Sequence, residues 1–351
     1  MSPVTELSTA PRIGAARRKT VKVATNELVT ESLLMPERST LLMIESRVPS
    51  LDLAQWAQES RSRLAELLLK HRGILFRNFG VSTPERFHEF VGASSTGPML
   101  EYVDRTTPRP AVGDKMYVST VYPSEETINM HCEGTYWISW PLKIYFCSLK
   151  TAEVGGETPV ADVRNVLNRI SPATRQKFEQ KGVMYQRNYN DGFGLTWQET
   201  FQTSDRAEVE KYCREHQIDW EWKEGDRLRT KQMRPAIRKH PVTGESVWFN
   251  HGAFFHVSSL QPSVREALLN NFGEESLPYN TYYGDGSRIE EDAAREVQAA
   301  YDAEKIIFPW KDGDVLLLDN MTMAHGRQPY KGTRKVIVAM VEPYSDPTNI
   351  R

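Results

Sequence analysis

A histidine and a glutamate stand two residues apart in His131-Cys132-Glu133, and a second histidine lies far downstream in Leu318-Asp319-Asn320-Met321-Thr322-Met323-Ala324-His325-Gly326. Residues two apart in extended backbone point to the same face, so His131 and Glu133 can grip one metal ion from one strand. His325 completes a set of two imidazoles and one carboxylate, which covers one face of an octahedral ion and leaves three positions open. The wide separation of these residues then constrains the fold. One unit must bring distant strands together, as an antiparallel double-sheet jelly roll does.

Strands and helices that could build such a unit recur along the rest of the chain. Leu41-Leu42-Met43-Ile44-Glu45 reads as a first strand, and residues 52–70 carry Leu53, Trp56, Leu64, Leu67 and Leu68 at helical spacing before the buried strand Gly73-Ile74-Leu75-Phe76-Arg77. Thr83-Pro84 marks a helix start. Residues 142–149 are apolar and β-prone, Gly155-Gly156-Glu157-Thr158-Pro159-Val160 turns into another strand, and residues 162–179 read as helical. Further on come Val247-Trp248-Phe249-Asn250, helices around 263–272 and 287–301, the strand after Asp312-Gly313-Asp314, and a last strand in Arg334-Lys335-Val336-Ile337-Val338-Ala339-Met340.

These elements predict a mainly β fold with helical additions on a double-stranded β-helix (jelly roll, cupin-like) core. Residues 1–25, rich in Ser, Thr, Pro and Arg, read as a flexible tail, and 26–351 as one domain with a long insertion at about 165–300 between core strands. The basic stretch Glu224 to Pro235 reads as a mobile loop inside that insertion.

Charge and cysteine usage narrow the function. The 351 residues carry 44 basic and 46 acidic side chains, a formal charge of −2, so the balance calls for neither nucleic acid nor an anionic membrane as partner. Cys132, Cys147 and Cys213 are odd in number and lack Cys-x-x-Cys spacing, which argues against a disulfide framework and a structural zinc site. No run approaches the ~18 apolar residues of a membrane span, and the first 23 residues lack the core of a secretory signal. The expectation is a cytoplasmic protein. Self-association into a homo-oligomer is compatible with the sequence.

His131 is the only one of eight histidines with a carboxylate two positions later. A lone His-x-Glu is more often a surface pair than a ligand pair, so the neighbours decide. An oxidising site that takes a dicarboxylate cosubstrate needs a guanidinium, whose fork matches a carboxylate. Arg334 follows His325 by nine residues, and a turn at Pro329-Tyr330-Lys331-Gly332 can return it on the adjacent strand to the same cavity. Standing alone, Arg334 would read as a surface residue and Thr158 as a turn cap.

Together, His131-Cys132-Glu133, Gly155-Gly156-Glu157-Thr158, Asp319-Asn320 with His325-Gly326-Arg327, and Gly332-Thr333-Arg334 resemble in order and spacing the TauD/TfdA superfamily of Fe(II)/2-oxoglutarate dioxygenases. The likeness runs from about Gly73 to Pro343. Arg187-Asn188-Tyr189, Leu195-Thr196-Trp197-Gln198-Glu199-Thr200-Phe201 and His240-Pro241-Val242-Thr243-Gly244-Glu245 resemble its SyrP-like branch, found in nonribosomal-peptide and other specialised-metabolite pathways. The resemblance implies that His131, Glu133 and His325 hold iron, that Arg334 pairs with the distal carboxylate of 2-oxoglutarate and that Thr158 hydrogen-bonds the same cosubstrate, with O2 as the oxidant. Many members carry Asp where this chain has Glu133. The carboxylate itself argues against halogenation, since halogenases of this group replace it with a small residue to let halide reach the iron.

The same resemblance implies hydroxylation of an amino acid or of an aminoacyl group tethered to a carrier protein. Desaturation, epoxidation or ring closure by the same oxidant, and catabolic oxidation of a sulfonate or other small acid, are the alternative enzyme readings. A cupin-like binding protein is the alternative without turnover. For substrate contacts, Arg105 and Arg187 read equally as carboxylate anchors or structural ion pairs. Asn250 and His251 can line the cavity, and Trp248 reads as core.

Overall fold

A computed structural model describes residues 25–49, 51–102, 104, 110–119, 122–189 and 194–346. Arg105 and nearly all of the N-terminal tail expected from sequence lie outside the described residues.

The largest sheet has eight strands in the spatial order Val29–Leu33, Leu42–Ser46, Gly73–Arg77, Val315–Asp319, Ser139–Lys150, Lys335–Ser345, Met116–Val118 and Ala111–Gly113. Its neighbours pair antiparallel except Leu42–Ser46 with Gly73–Arg77, a parallel pair joined by the helices Leu53–Glu59 and Arg61–His71. Strict side-chain alternation explains why the central strands read as unbroken apolar runs. Ile144, Phe146, Leu316, Leu318, Val336, Val338 and Met340 enter one core cluster, while Tyr145, Cys147, Val315, Leu317, Ile337, Ala339 and Val341 enter another, under the helices that carry Trp56, Leu64, Phe87 and Phe90.

The first cluster is shared with a small sheet in the order Ile128–His131, Met323–Arg327, Val160–Asp162, through Met130, Met323, Ala324, Val160 and Ala161. Both pairings are antiparallel. They place His325 between His131 on one side and Val160 on the other.

A further sheet, in the order Asp219–Lys223, Arg227–Arg234, Val183–Tyr189, Tyr279–Tyr283, lies between the Val160–Asp162 and Val315–Asp319 strands in sequence. It corrects the expectation of a mobile loop at Glu224 to Pro235. Leu228, Thr230, Gln232 and Arg234 are buried on one face of a strand, and the intervening basic residues face outward. The run at 162–179 forms two helices, Val163–Arg169 and Pro172–Lys181, divided where Ser171 caps the second and Pro172 opens it. The expected long helix at 52–70 is likewise broken, at Ser60. Trp248 is buried against Phe178, as core. No helix among the described residues is long and apolar enough to cross a membrane.

Candidate metal centre and cosubstrate pocket

The structure gathers His131, Glu133 and His325 into one buried cluster, with one ligand atom from each lying within 4.8 Å of the others. Register does most of this. His131 and His325 are directly cross-strand partners, which sets their ring centroids 4.5 Å apart. Gly326 allows the approach, because a Cβ there would stand 2.7 Å from the Ile128 carbonyl oxygen.

The His131 ring is oriented by its own strand. Its Nδ1 lies 2.8 Å from the Asn129 carbonyl oxygen, which can only accept, so Nδ1 carries the proton and Nε2 keeps a free electron pair for a metal. Phe254 packs on this ring at 4.8 Å and Phe146 on the His325 ring at 4.9 Å. These contacts pack both imidazoles against aromatic neighbours and fix the orientation of the rings.

Glu133 is positioned differently from the sequence expectation. The strand ends at His131, and Glu133 opens a turn rather than continuing the extended run. Asn320 holds it there. The Asn320 side-chain oxygen accepts the Glu133 backbone N–H at 2.7 Å, and its amide nitrogen donates to the Glu133 carbonyl at 2.9 Å and to that of Pro141 at 2.8 Å. Asp319 shapes the turn that carries Asn320 by accepting from the N–H groups of Met321 and Thr322, and it meets the buried His240 Nε2 at 3.1 Å. Between the ligands, Cys132 points into the core, where burial raises its thiol well above the usual range and keeps it neutral.

Beside the two histidines, a small pocket is lined by Ser119, Phe146, Thr158, Arg327, Arg334 and Val338 among others. Arg334 returns to it from the start of the eight-stranded sheet, not on a strand adjacent to His325 as the sequence suggested; the Met323–Arg327 strand belongs to the small sheet. Its Nε donates to the Gly156 carbonyl at 2.9 Å and its Nη2 lies 3.5 Å from the Thr158 hydroxyl. Gly156 is required: its φ is +75°, and a Cβ would meet the Arg334 side chain at 3.0 Å. The Thr158 hydroxyl also accepts from the Trp310 indole at 3.0 Å.

Two guanidinium groups therefore line one pocket, Arg327 buried and Arg334 half-buried, and among the described residues no carboxylate lies within ion-pairing range of either. Burial, and secondarily Arg327, pulls the Arg334 guanidinium down to about 10. Two cations side by side in a partly desolvated pocket are costly, and a dicarboxylate held there would offset the cost. The donor set fits a divalent metal with a dicarboxylate.

Two of the three candidate substrate residues, Arg187 and Asn250, are placed elsewhere. Arg187 bonds Asp104 at 2.6 Å with both groups buried, and lies over the Tyr189 ring. Asn250 donates to the Ala236 carbonyl and accepts the Gly252 N–H, which anchors the short helix Gly252–Phe255 that presents Phe254 to His131. Neither lines the cavity of about 430 Å³ that opens at His131, whose walls include Tyr122, Glu126, Asn129, Phe254, Phe255, Gln261, Val264 and Tyr279. His251 packs between Tyr136, Phe254 and His131, and burial followed by the neighbouring His131 drives its imidazole well below the usual range, so it is neutral. Sequence reasoning missed Phe254 and Trp310, which carry no motif, and read Asn320 and Arg327 as motif letters without a role.

Comparison with known proteins agrees with this geometry. Residues 37–340 match the model of the taurine catabolism dioxygenase TauD, TfdA family. The dapdiamide synthesis protein DdaC of Enterobacter agglomerans is 39% identical over 284 residues, covering 81% of this chain and 86% of that protein. A clavaminate synthase-like protein of Arabidopsis thaliana is 26% identical over 308 residues, 84% of this chain and 89% of its own. Among solved structures, PvcB of Pseudomonas aeruginosa superposes with a TM-score of 0.55 at 13% identity, over 93% of this chain and 97% of that one, and so shares the sheet-rich fold with its helical additions. With two histidines and a carboxylate on one centre and a family match across most of its length, the chain belongs to the TauD/TfdA family and is an Fe(II)/2-oxoglutarate-dependent dioxygenase.

Proposed function

We propose that this dioxygenase hydroxylates an unactivated C–H bond of an amino acid, free or tethered to a carrier protein as an aminoacyl group, in the biosynthesis of a specialised metabolite. The observation that carries the reading is the pairing of the His131, Glu133 and His325 cluster with a doubly cationic pocket on one side and a cavity of about 430 Å³ on the other. That volume suits a small organic molecule. The 39% identity to a dapdiamide synthesis protein favours biosynthesis over sulfonate catabolism.

In this reading, His131 Nε2, the Glu133 carboxylate and His325 hold the iron. Arg334 would pair with the distal carboxylate of 2-oxoglutarate and the Thr158 hydroxyl would hydrogen-bond it, as charge-assisted contacts in a small pocket. When bound, iron and 2-oxoglutarate together supply the activation of O2, with conversion of the cosubstrate to succinate and CO2 and transfer of one oxygen atom to the substrate. The protein's share is position: Asn320 fixes Glu133, Asn129 fixes His131, and Phe254 packs on the His131 ring.

The eight-stranded sheet and the small sheet carrying His131 and His325 form, on this view, the two walls of a double-stranded β-helix. Residues from about 26 onward make one domain, and the segment at about 165–300, with its four-stranded sheet, is the insertion. Three buried free thiols suit a reducing cytoplasm.

Anaerobic addition of Fe(II) and 2-oxoglutarate tests the site: a weak visible charge-transfer band is expected, and its absence overturns the assignment. Mass spectrometry then compares free amino acids with their carrier-loaded forms. A gain of one oxygen on the tethered form alone establishes the carrier protein as partner.

A further inference from the structure

Arg327 has more contacts than its motif explains. It sits two residues beyond His325 and lines the cosubstrate pocket, yet its guanidinium reaches away from the metal cluster to the segment 122–126. Nη1 donates to the Tyr122 carbonyl at 3.0 Å, and Nη2 donates to the carbonyls of Pro123 and Glu126. The Tyr330 N–H adds a bond to the Ser124 carbonyl at 2.8 Å. The guanidinium also lies between the rings of Tyr122 and Tyr330, 5.9 and 5.2 Å from their centroids.

This segment is the lip of the substrate cavity, to which Tyr122 and Glu126 contribute lining. One side chain thus borders the cosubstrate pocket and grips the wall of its neighbour. Arg327 is only 4% exposed, and among the described residues its buried Nε–H has no hydrogen-bond partner and no carboxylate lies within ion-pairing range of it. A buried donor of that kind is costly to leave unpaired, and the second cation in the pocket, the half-buried Arg334, raises the cost by like-charge repulsion. A dicarboxylate in the pocket relieves both.

We propose that Arg327 is a positioning residue that couples occupancy of the cosubstrate pocket to the order of the 122–126 lip, so that 2-oxoglutarate completes the wall of the substrate cavity. The inference rests on the reading of the adjacent pocket as the 2-oxoglutarate site. With the pocket empty, two uncompensated guanidinium groups oppose each other and the clamp on the lip is weakened. With the dianion bound, Arg327 holds its three carbonyls and the lip closes down. Energetic coupling between two sites through one ordered segment is reciprocal, so substrate filling the cavity also tightens the hold on 2-oxoglutarate.

Hydrogen exchange of the full-length protein with Fe(II), kept anaerobic, tests this with 2-oxoglutarate as the probe. The wild type is expected to show slower exchange at the amides of Ser124, Glu125 and Glu126 on adding 2-oxoglutarate, by about tenfold for a coupling of ordinary size. In Arg327→Gln and Arg327→Lys the charge-transfer band still forms, at a higher 2-oxoglutarate concentration, while the protection of the lip is lost. Lysine keeps the charge but cannot bridge three carbonyls, so its failure to restore protection separates the fork from the charge. A wild-type band with an indifferent lip, or equal protection in the wild type and both variants, overturns the coupling alone. A wild type that forms no band overturns the site assignment, and the coupling with it.

Discussion

Asn320 holds Glu133 by both polar groups of its backbone, although 187 residues separate the two in sequence. The carboxylate proposed to bind iron sits on a turn, outside the strand that carries His131, and this buried amide substitutes for the missing strand partner. Asn320→Ala removes three hydrogen bonds and leaves a buried N–H and two carbonyls to be satisfied otherwise, at about 1–3 kcal/mol for each group left unpaired. Metal affinity, read by titrating Fe(II) into the apoprotein with 2-oxoglutarate present, should fall by at least about tenfold. An unchanged titration in a folded Asn320→Ala variant would show that Glu133 needs no such support.

Glu133→Ala takes away the one anionic ligand of the proposed triad. Loss of a ligand from a three-residue site leaves only the two histidines, so iron binding weakens and turnover stops. Succinate formation with substrate present is the measurement. Full succinate yield from this variant would remove Glu133 from the centre.

Arg334→Ala tests the cosubstrate pocket. The charge-assisted pair it removes contributes on the order of 2 kcal/mol, equivalent to a rise of about 30-fold in the 2-oxoglutarate requirement. Iron affinity without cosubstrate should change little, since the hydrogen bonds of Arg334 among the described residues run to Gly156 and Thr158 and not to the triad. An unaltered 2-oxoglutarate requirement would assign its guanidinium a structural role.

Thr158→Val keeps the volume of the side chain and deletes the hydroxyl that lies between the Trp310 indole and Arg334. A neutral hydrogen bond is worth about 1 kcal/mol, so the requirement for 2-oxoglutarate should rise about fivefold, well short of the Arg334 effect. An effect equal to that of Arg334→Ala would mean that the hydroxyl acts mainly by orienting the guanidinium.

Much of this site was legible because its chemistry needs particular side chains at fixed spacings. The triad, Thr158 and Arg334 were all named from motif and resemblance, and the structure brings all five to one place. The core strands were legible too, since both faces are covered and the sequence shows apolar runs at Gly73–Arg77, Val315–Asp319 and Lys335–Ser345. What sequence hid was tertiary. The strand at Arg227–Arg234 has a two-residue alternation whose outward positions are basic, so charge masked the buried Leu228 and Thr230. The route of Arg334 depends on which sheet its strand joins, a property of long-range pairing that no local turn determines. The partnership of Asn320 with Glu133 joins two segments that no local pattern connects.

Arg187 could serve as a substrate anchor or as half of an internal ion pair, and its 2.6 Å bond to Asp104 in a buried setting argues for the pair. Breaking a buried pair by removing one partner costs about 3 kcal/mol or more, because the remaining charge is stranded. Asp104→Asn should therefore lower the thermal midpoint by several degrees while leaving the 2-oxoglutarate charge-transfer band of the folded protein unchanged. Arg187→Met, which removes the cation and fills the space, strands the Asp104 carboxylate instead and should destabilise comparably. A variant that keeps its thermal midpoint but loses substrate oxidation, with the band intact, would transfer Arg187 from the scaffold to the substrate site.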